Sequence, residues 1–240
     1  MSKLVYYCLR TLFVFSLMTA SNAALAITSD TVTGSNFVDG QTVYTITFAD
    51  NLTATFTGSR AFKQKTQDSM TGVGVAAGRT AGEIDIDETI TASFSKEVIV
   101  SSLTLGLLFD GPEYSDVQEV AKLLVNFADG GSDIFYLTAT GAHSATWTGP
   151  GSVSPLGSGA VDGGTGAWEL TNPFGFRSVT NIQFTAATGV AKSSCSSCNN
   201  QSDYTFVSMT VTPVPEVNSL AMFTVALFMF GGIAARKSAL

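Results

Sequence analysis

Four carboxylates fall within ten residues in the stretch Asp110-Gly-Pro-Glu113-Tyr-Ser-Asp116-Val-Gln-Glu119. Carboxylates on a loop, with backbone carbonyls beside them, are the donor set of a hard cation such as Ca²⁺. Asp110, Glu113 and Asp116 are the candidate ligands. The stretch lacks the spacing of an EF-hand loop, so a solvated acidic loop fits the same residues, and a structural Ca²⁺ is the single cofactor the sequence suggests. A second group, Asp85 and Asp87, lies two residues apart, which on a strand means one face. Two acids a few ångströms apart would also serve glycoside hydrolysis, but spacing along a chain does not supply that distance.

The remaining reactive residue types give less. His143, in GAHSATW, is the one histidine. No G-x-S-x-G elbow surrounds Ser144, so His143 reads as a surface or packing residue on a strand near Trp147, and a His-rich metal site is excluded. Gly72-x-Gly74-x-x-Ala77 has the letters of a dinucleotide fingerprint, but it follows the polar FKQKTQDSM and opens no helix, so it reads as a flexible loop. Cys195-Ser-Ser-Cys198 sits in a Ser/Asn-rich stretch rather than at a helix N-terminus. In an oxidising compartment it predicts a disulfide across a tight loop, with reduced thiols as the alternative; zinc would need two further ligands. Trp147, Trp168, Tyr114 and Tyr136 could stack on sugar rings or serve as core and hairpin pairs. No residue is assigned a catalytic role.

The elements that must position these groups are strands. Thr42–Phe48, the turn Ala49-Asp50-Asn51 and Leu52–Phe56 read as a hairpin, and so do Leu123–Phe127, the turn 128–131 and Ile134–Thr140. Residues 83–94 alternate, with Ile84, Ile86, Ile90, Ala92 and Phe94 on one face and Glu83, Asp85, Asp87, Thr89 and Thr91 on the other. Val98–Phe109 is more continuously apolar and reads as a central strand. Ala142–Thr148, Gly166–Thr171, Val179–Thr185 and Tyr204–Thr212 complete the set, while 60–82 and 149–166 read as loops. Evenly spaced short strands without an interior helix predict an all-β, antiparallel two-sheet sandwich of jelly-roll type spanning residues 27–212.

Composition agrees. Of 240 residues, 13% are charged and 45% hydrophobic, with 23 Gly. Residues 27–213 carry 8 basic and 18 acidic side chains, a net charge of −10. Such a surface cannot replace phosphate counterions, which excludes nucleic acid as a partner.

Both flanks differ from this middle. Residues 1–26 pair Lys3 and Arg10 with a short apolar stretch, Leu12–Met18, and a small-x-small site at Ala24-Leu25-Ala26. This is the form of a secretory signal peptide cut near Ala26, or after Ala23. From Leu220 to Ala235 no charge occurs. As a helix this run would be roughly 24 Å long, a marginal transmembrane span against a hydrocarbon core of about 30 Å. Arg236 and Lys237 follow at once and by the positive-inside rule stay cytoplasmic, which places the preceding domain outside.

Val214-Pro215-Glu216, the apolar run from Leu220, Gly231-Gly232 and the pair Arg236-Lys237 together resemble the PEP-CTERM sorting signal of Gram-negative bacteria. The resemblance covers residues 213–240, and Val217 stands where the family usually has a second proline. It implies recognition by an exosortase, a membrane-embedded transpeptidase-like cysteine enzyme, with transient anchoring in the inner membrane through the C-terminal helix. It also implies release to the cell envelope or extracellular matrix in association with exopolysaccharide and biofilm. The middle more loosely resembles the galactose-binding-like sandwiches found in many such proteins. The expectation is an exported structural or adhesive protein without catalysis. The alternative is a carbohydrate-binding module with a defined sugar site and a structural Ca²⁺.

Overall fold

The computed structural model describes residues 28–192, 195, 197–198 and 202–215. The signal segment 1–26, the apolar run 220–235 and the basic pair lie outside the described residues.

These residues form thirteen strands joined in one antiparallel sheet. They are β1 (Asp30–Thr33), β2 (Val43–Thr47), β3 (Thr53–Gly58), β4 (Phe62–Gln67), β5 (Met70–Val75), β6 (Ile90–Gly106), β7 (Gln118–Phe127), β8 (Ser132–Gly141), β9 (Ser144–Trp147), β10 (Ser152–Leu156), β11 (Ala167–Thr171), β12 (Val179–Val190) and β13 (Thr205–Pro213). The longest ordered path runs β4-β5-β13-β6-β12-β7-β8-β9, with β1 beside β13, β10–β11 beside β6, and β2–β3 beside β6.

Strand β6 is the hub. Its first residues pair with β3 and β12, and its last with β13 and β11. Phe184 of β12 lies opposite Ile90, Phe206 of β13 lies opposite Leu105, and yet the two phenylalanine rings are 5.5 Å apart. A straight strand would hold Ile90 and Leu105 about 50 Å apart. β6 therefore bends back on itself. The bend falls where the ladder to β12 breaks, with Val179 opposite Val98 but Asn181 opposite Ser93. The residues between, Phe94 to Glu97, are only partly covered, whereas both ends of β6 are buried. The fold thus brings Phe184 of β12 and Phe206 of β13, paired near opposite ends of β6, into contact.

Phe37, in the turn after β1, anchors this core. Its ring centroid lies 4.7 Å from Tyr44, 5.0 Å from both Phe56 and Phe62, and 6.0 Å from Phe206. Trp168 is fully buried, its Nε1 donating to the Leu108 carbonyl at 2.9 Å. Trp147 stacks on Phe135 and donates to the Pro173 carbonyl. Both tryptophans are packing residues.

Three sequence expectations change. Residues 60–82 are not one loop: β4 and β5 form a hairpin turning through Asp68 and Ser69, both at positive φ. The would-be fingerprint glycines lie on β5 because neighbouring backbone comes too close for a side chain. A Cβ on Gly72 would sit 2.2 Å from Thr205 Oγ1, and one on Gly74 2.3 Å from the Glu83 backbone. Residues 149–166 likewise contain a strand, β10, paired with β11. Residues 83–89 are irregular rather than strand, with one β-bridge to the sheet, Val75 to Glu83.

A candidate metal centre

The irregular course of residues 76–89 breaks the expected alternation. Glu83, Asp85 and Glu88 are buried and Ile86 is exposed. The backbone explains it. Val75 N–H donates to the Glu83 carbonyl and Ile84 N–H to the Tyr204 carbonyl, which sets Glu83 and Asp85 beside Asp203 rather than outward.

On the other side, β7 begins at Gln118, and Glu119 exchanges backbone contact with Phe109: its N–H donates to the Phe109 carbonyl at 3.0 Å, and its Oε2 accepts from the Phe109 N–H. Val120 N–H donates to Ser202 Oγ at 2.7 Å, bringing the residues before β13 alongside Glu119. Asp116 closes the short 3₁₀ turn Glu113–Ser115, its N–H bonded to the Glu113 carbonyl.

The result is a convergence of carboxylates. Oxygens of Asp116, Glu119 and Asp203 all lie within 4.8 Å of one another. Glu119 and Asp203 are buried and Asp116 is half-buried. They open into a cavity of about 340 Å³ also lined by Lys65, Glu83 and Tyr114. Lys65 Nζ reaches Glu83 Oε1 at 2.5 Å. Arg79 borders this cavity and a neighbouring one of about 250 Å³ that holds Asp85, Glu88 and Arg60.

Crowding raises the proton affinity of these groups. Burial, then the Asp203 charge, pushes Glu83 up to about 9 despite Lys65. Burial, then Asp203 and Asp85, pushes Asp116 up to about 6. Glu119, fully enclosed, is raised well above the usual carboxylate range, again by burial first and Asp203 second. Burial likewise raises Asp85 and Glu88. Removing a carboxylate from water costs several kcal/mol unless opposite charge compensates it, so this cluster favours whatever neutralises it, protons or a cation.

Of the acids predicted as Ca²⁺ ligands, the structure brings Asp116 into this cluster and leaves Asp110 and Glu113 apart from it. Asp110 is tied to Lys192 at 2.5 Å, and Glu113 lies against Asp110, its proton affinity raised first by burial and then by that neighbour. Asp203 joins from 84 residues beyond Glu119, and Glu83 and Asp85 from the irregular segment before β6. His143 is exposed in the turn between β8 and β9 rather than on a strand. Cys195 and Cys198 are joined by a disulfide, with Cα atoms 5.5 Å apart. Of the sorting segment, Val214 and Pro215 are described: Val214 N–H donates to the Glu97 carbonyl and Pro215 is exposed, while Glu216, Arg236 and Lys237 lie outside the described residues.

Comparison with protein-family models, with curated proteins and with solved structures gave no match.

Proposed function

We propose that this chain is an exported envelope or matrix protein, sorted by an exosortase through its C-terminal segment. In this reading the β domain serves a structural or adhesive role without catalysis, in association with extracellular polysaccharide. The observation that carries the reading is the order of features from Val214 onward: a Pro-Glu handle, an uncharged run and a basic pair, preceded far upstream by a secretion signal. What supports it locally is that β13 ends at Pro213, Val214 makes one further backbone bond to β6, and Pro215 beyond it is exposed. A prolyl residue has no N–H to give to a further ladder or helix bond, and it keeps the segment extended for a processing enzyme to grip.

The domain in this reading is a two-sheet sandwich. The bend in β6 and the contact of Phe184 with Phe206 across it support that architecture. Deleting residues 214–240 tests the sorting claim. In the native host, cell fractionation should find the truncated protein in the soluble periplasmic fraction or the medium instead of the membrane and surface fractions. Membrane and surface retention equal to that of the full chain would sink the reading. A glycan array run on the full chain tests the polysaccharide association separately.

A further inference from the structure

We propose that Asp116, Glu119 and Asp203 bind a calcium ion, which ties the loop before β7 to the segment entering β13. The inference goes beyond the sorting reading and does not depend on it.

Two independent observations carry it. The first is the convergence itself: three carboxylate oxygens from two distant parts of the chain, all within 4.8 Å of one another, facing a cavity with room for water. The second is Asp85, which is only 8% exposed. Its carboxyl lies within hydrogen-bonding reach of the Asp203 carboxyl. Its Oδ2 accepts the Arg79 N–H at 2.7 Å, but its Oδ1 is buried without any hydrogen-bond donor. A buried carboxylate oxygen with no donor, set against an acidic group, calls for positive charge between the two, and a divalent cation supplies it to all the crowded carboxylates at once.

Size and charge select the ion. Oxygen ligands at 2.3–2.6 Å from Ca²⁺ can stand up to about 5 Å apart across it, which accommodates the spacing found. Mg²⁺ demands a near-ideal octahedron at about 2.0–2.1 Å and dehydrates reluctantly, so a set of carboxylates already fixed by the fold suits it less than the more tolerant Ca²⁺. The all-oxygen set offers nothing to softer metals that prefer sulfur or imidazole. Around the site stand the carboxylates of Glu83, Asp85, Asp116, Glu119 and Asp203 against the cations Lys65 and Arg79, an excess of negative charge that a divalent ion offsets. Phe109 N–H fixes Glu119, and Arg79 N–H fixes Asp85 behind Asp203, so the donors are held before the ion arrives. Cavity water completes the six to eight positions that Ca²⁺ takes.

The test uses the full chain in detergent micelles, stripped with EGTA and titrated with Ca²⁺ or Mg²⁺ by calorimetry and thermal denaturation. The expected result is one Ca²⁺ per chain and a midpoint raised by about 5–10 °C once Ca²⁺ is a hundredfold above its dissociation constant. Mg²⁺ should bind at least about tenfold more weakly. Asp116→Asn and Asp203→Asn should weaken Ca²⁺ binding at least about tenfold while leaving the stripped protein as stable as the wild type or more so, because each removes one of several crowded like charges. Tb³⁺ luminescence sensitised by Tyr114 at the cavity wall, and quenched by added Ca²⁺, reports the site in the wild-type chain alone, should either variant fail to fold. No heat and no midpoint shift up to about 10 mM Ca²⁺ would overturn the proposal, since even weak extracellular sites fill below that. So would a shift of the same size in wild type and in both variants.

Discussion

Replacing Phe37 by alanine should cost about 4 kcal/mol of folding free energy. Phe37 belongs to no strand, but it is 2% exposed and touches four other rings. Those rings belong to β2, β3, β4 and β13, so one side chain from a turn ties together four strands of the sheet. Truncation deletes about 100 Å³ of side chain; at about 24 cal/mol per Å³ an uncollapsed cavity accounts for about 2.4 kcal/mol, and lost transfer energy for about 2 more. Collapse of the cavity would lower the sum, and the usual range for buried phenylalanine, about 3–5 kcal/mol, brackets it. In a domain of this size each kcal/mol moves the thermal midpoint by about 2–4 °C, so a drop of about 8–16 °C is expected. Urea and thermal denaturation followed by far-ultraviolet circular dichroism measure both quantities, with the urea slope unchanged. Phe37→Leu, which keeps most of the volume, should lose less than half as much. A loss below about 1 kcal/mol for Phe37→Ala would refute the reasoning, because no ring enclosed by four others is removed so cheaply.

Two further changes probe the approaches to the acidic cavity. Gly72→Ala sets a methyl group 2.2 Å from Thr205 Oγ1 and 2.5 Å from its Cβ, so β5 must shift from β13, and chemical denaturation should record a loss of about 1–3 kcal/mol. Glu88 is raised by burial, so the folded state holds its proton more tightly than the unfolded chain. Its contribution is therefore most favourable below the ordinary glutamate value and declines as pH rises through the folded one. Glu88→Gln should match the wild type near about pH 4 and exceed it in stability near about pH 8, as urea titrations at the two pH values would reveal. Identical pH profiles would show that the carboxyl is not held neutral by its surroundings.

The legible parts of the fold were those with local causes. The hairpin of β7 and β8 combines alternation with an Asp-Gly turn, both visible in a dozen residues. The hairpin of β4 and β5 was hidden because its turn residues, Asp68 and Ser69, take the left-handed conformation without a glycine, and because strand β5 carries glycine where β-branched residues would announce a strand. Residues 83–89 misled for a different reason. Alternation implied two strand faces, but Glu83, Ile84, Asp85 and Glu88 are all buried while Ile86 and Asp87 are exposed, because Tyr204 and Val75 hold this backbone in an irregular course. Asp116 and Glu119 stood out as loop acids. Asp203 did not, since only the placement of β13 against β5 and β6 brings it to them.

That same strand has a consequence for how the domain is held. β1 and β13 are antiparallel neighbours, with Asp30 opposite Val211 and the hydroxyls of Ser29 and Thr212 2.8 Å apart. The chain therefore enters and leaves the sheet at one corner. A tether on either flank suspends the domain from the same point, and the rest of the surface stays free to swing clear of whatever holds it. The two flanks could also be spliced to each other and the chain reopened at a distant turn, and every ladder in the sheet would still find its partner.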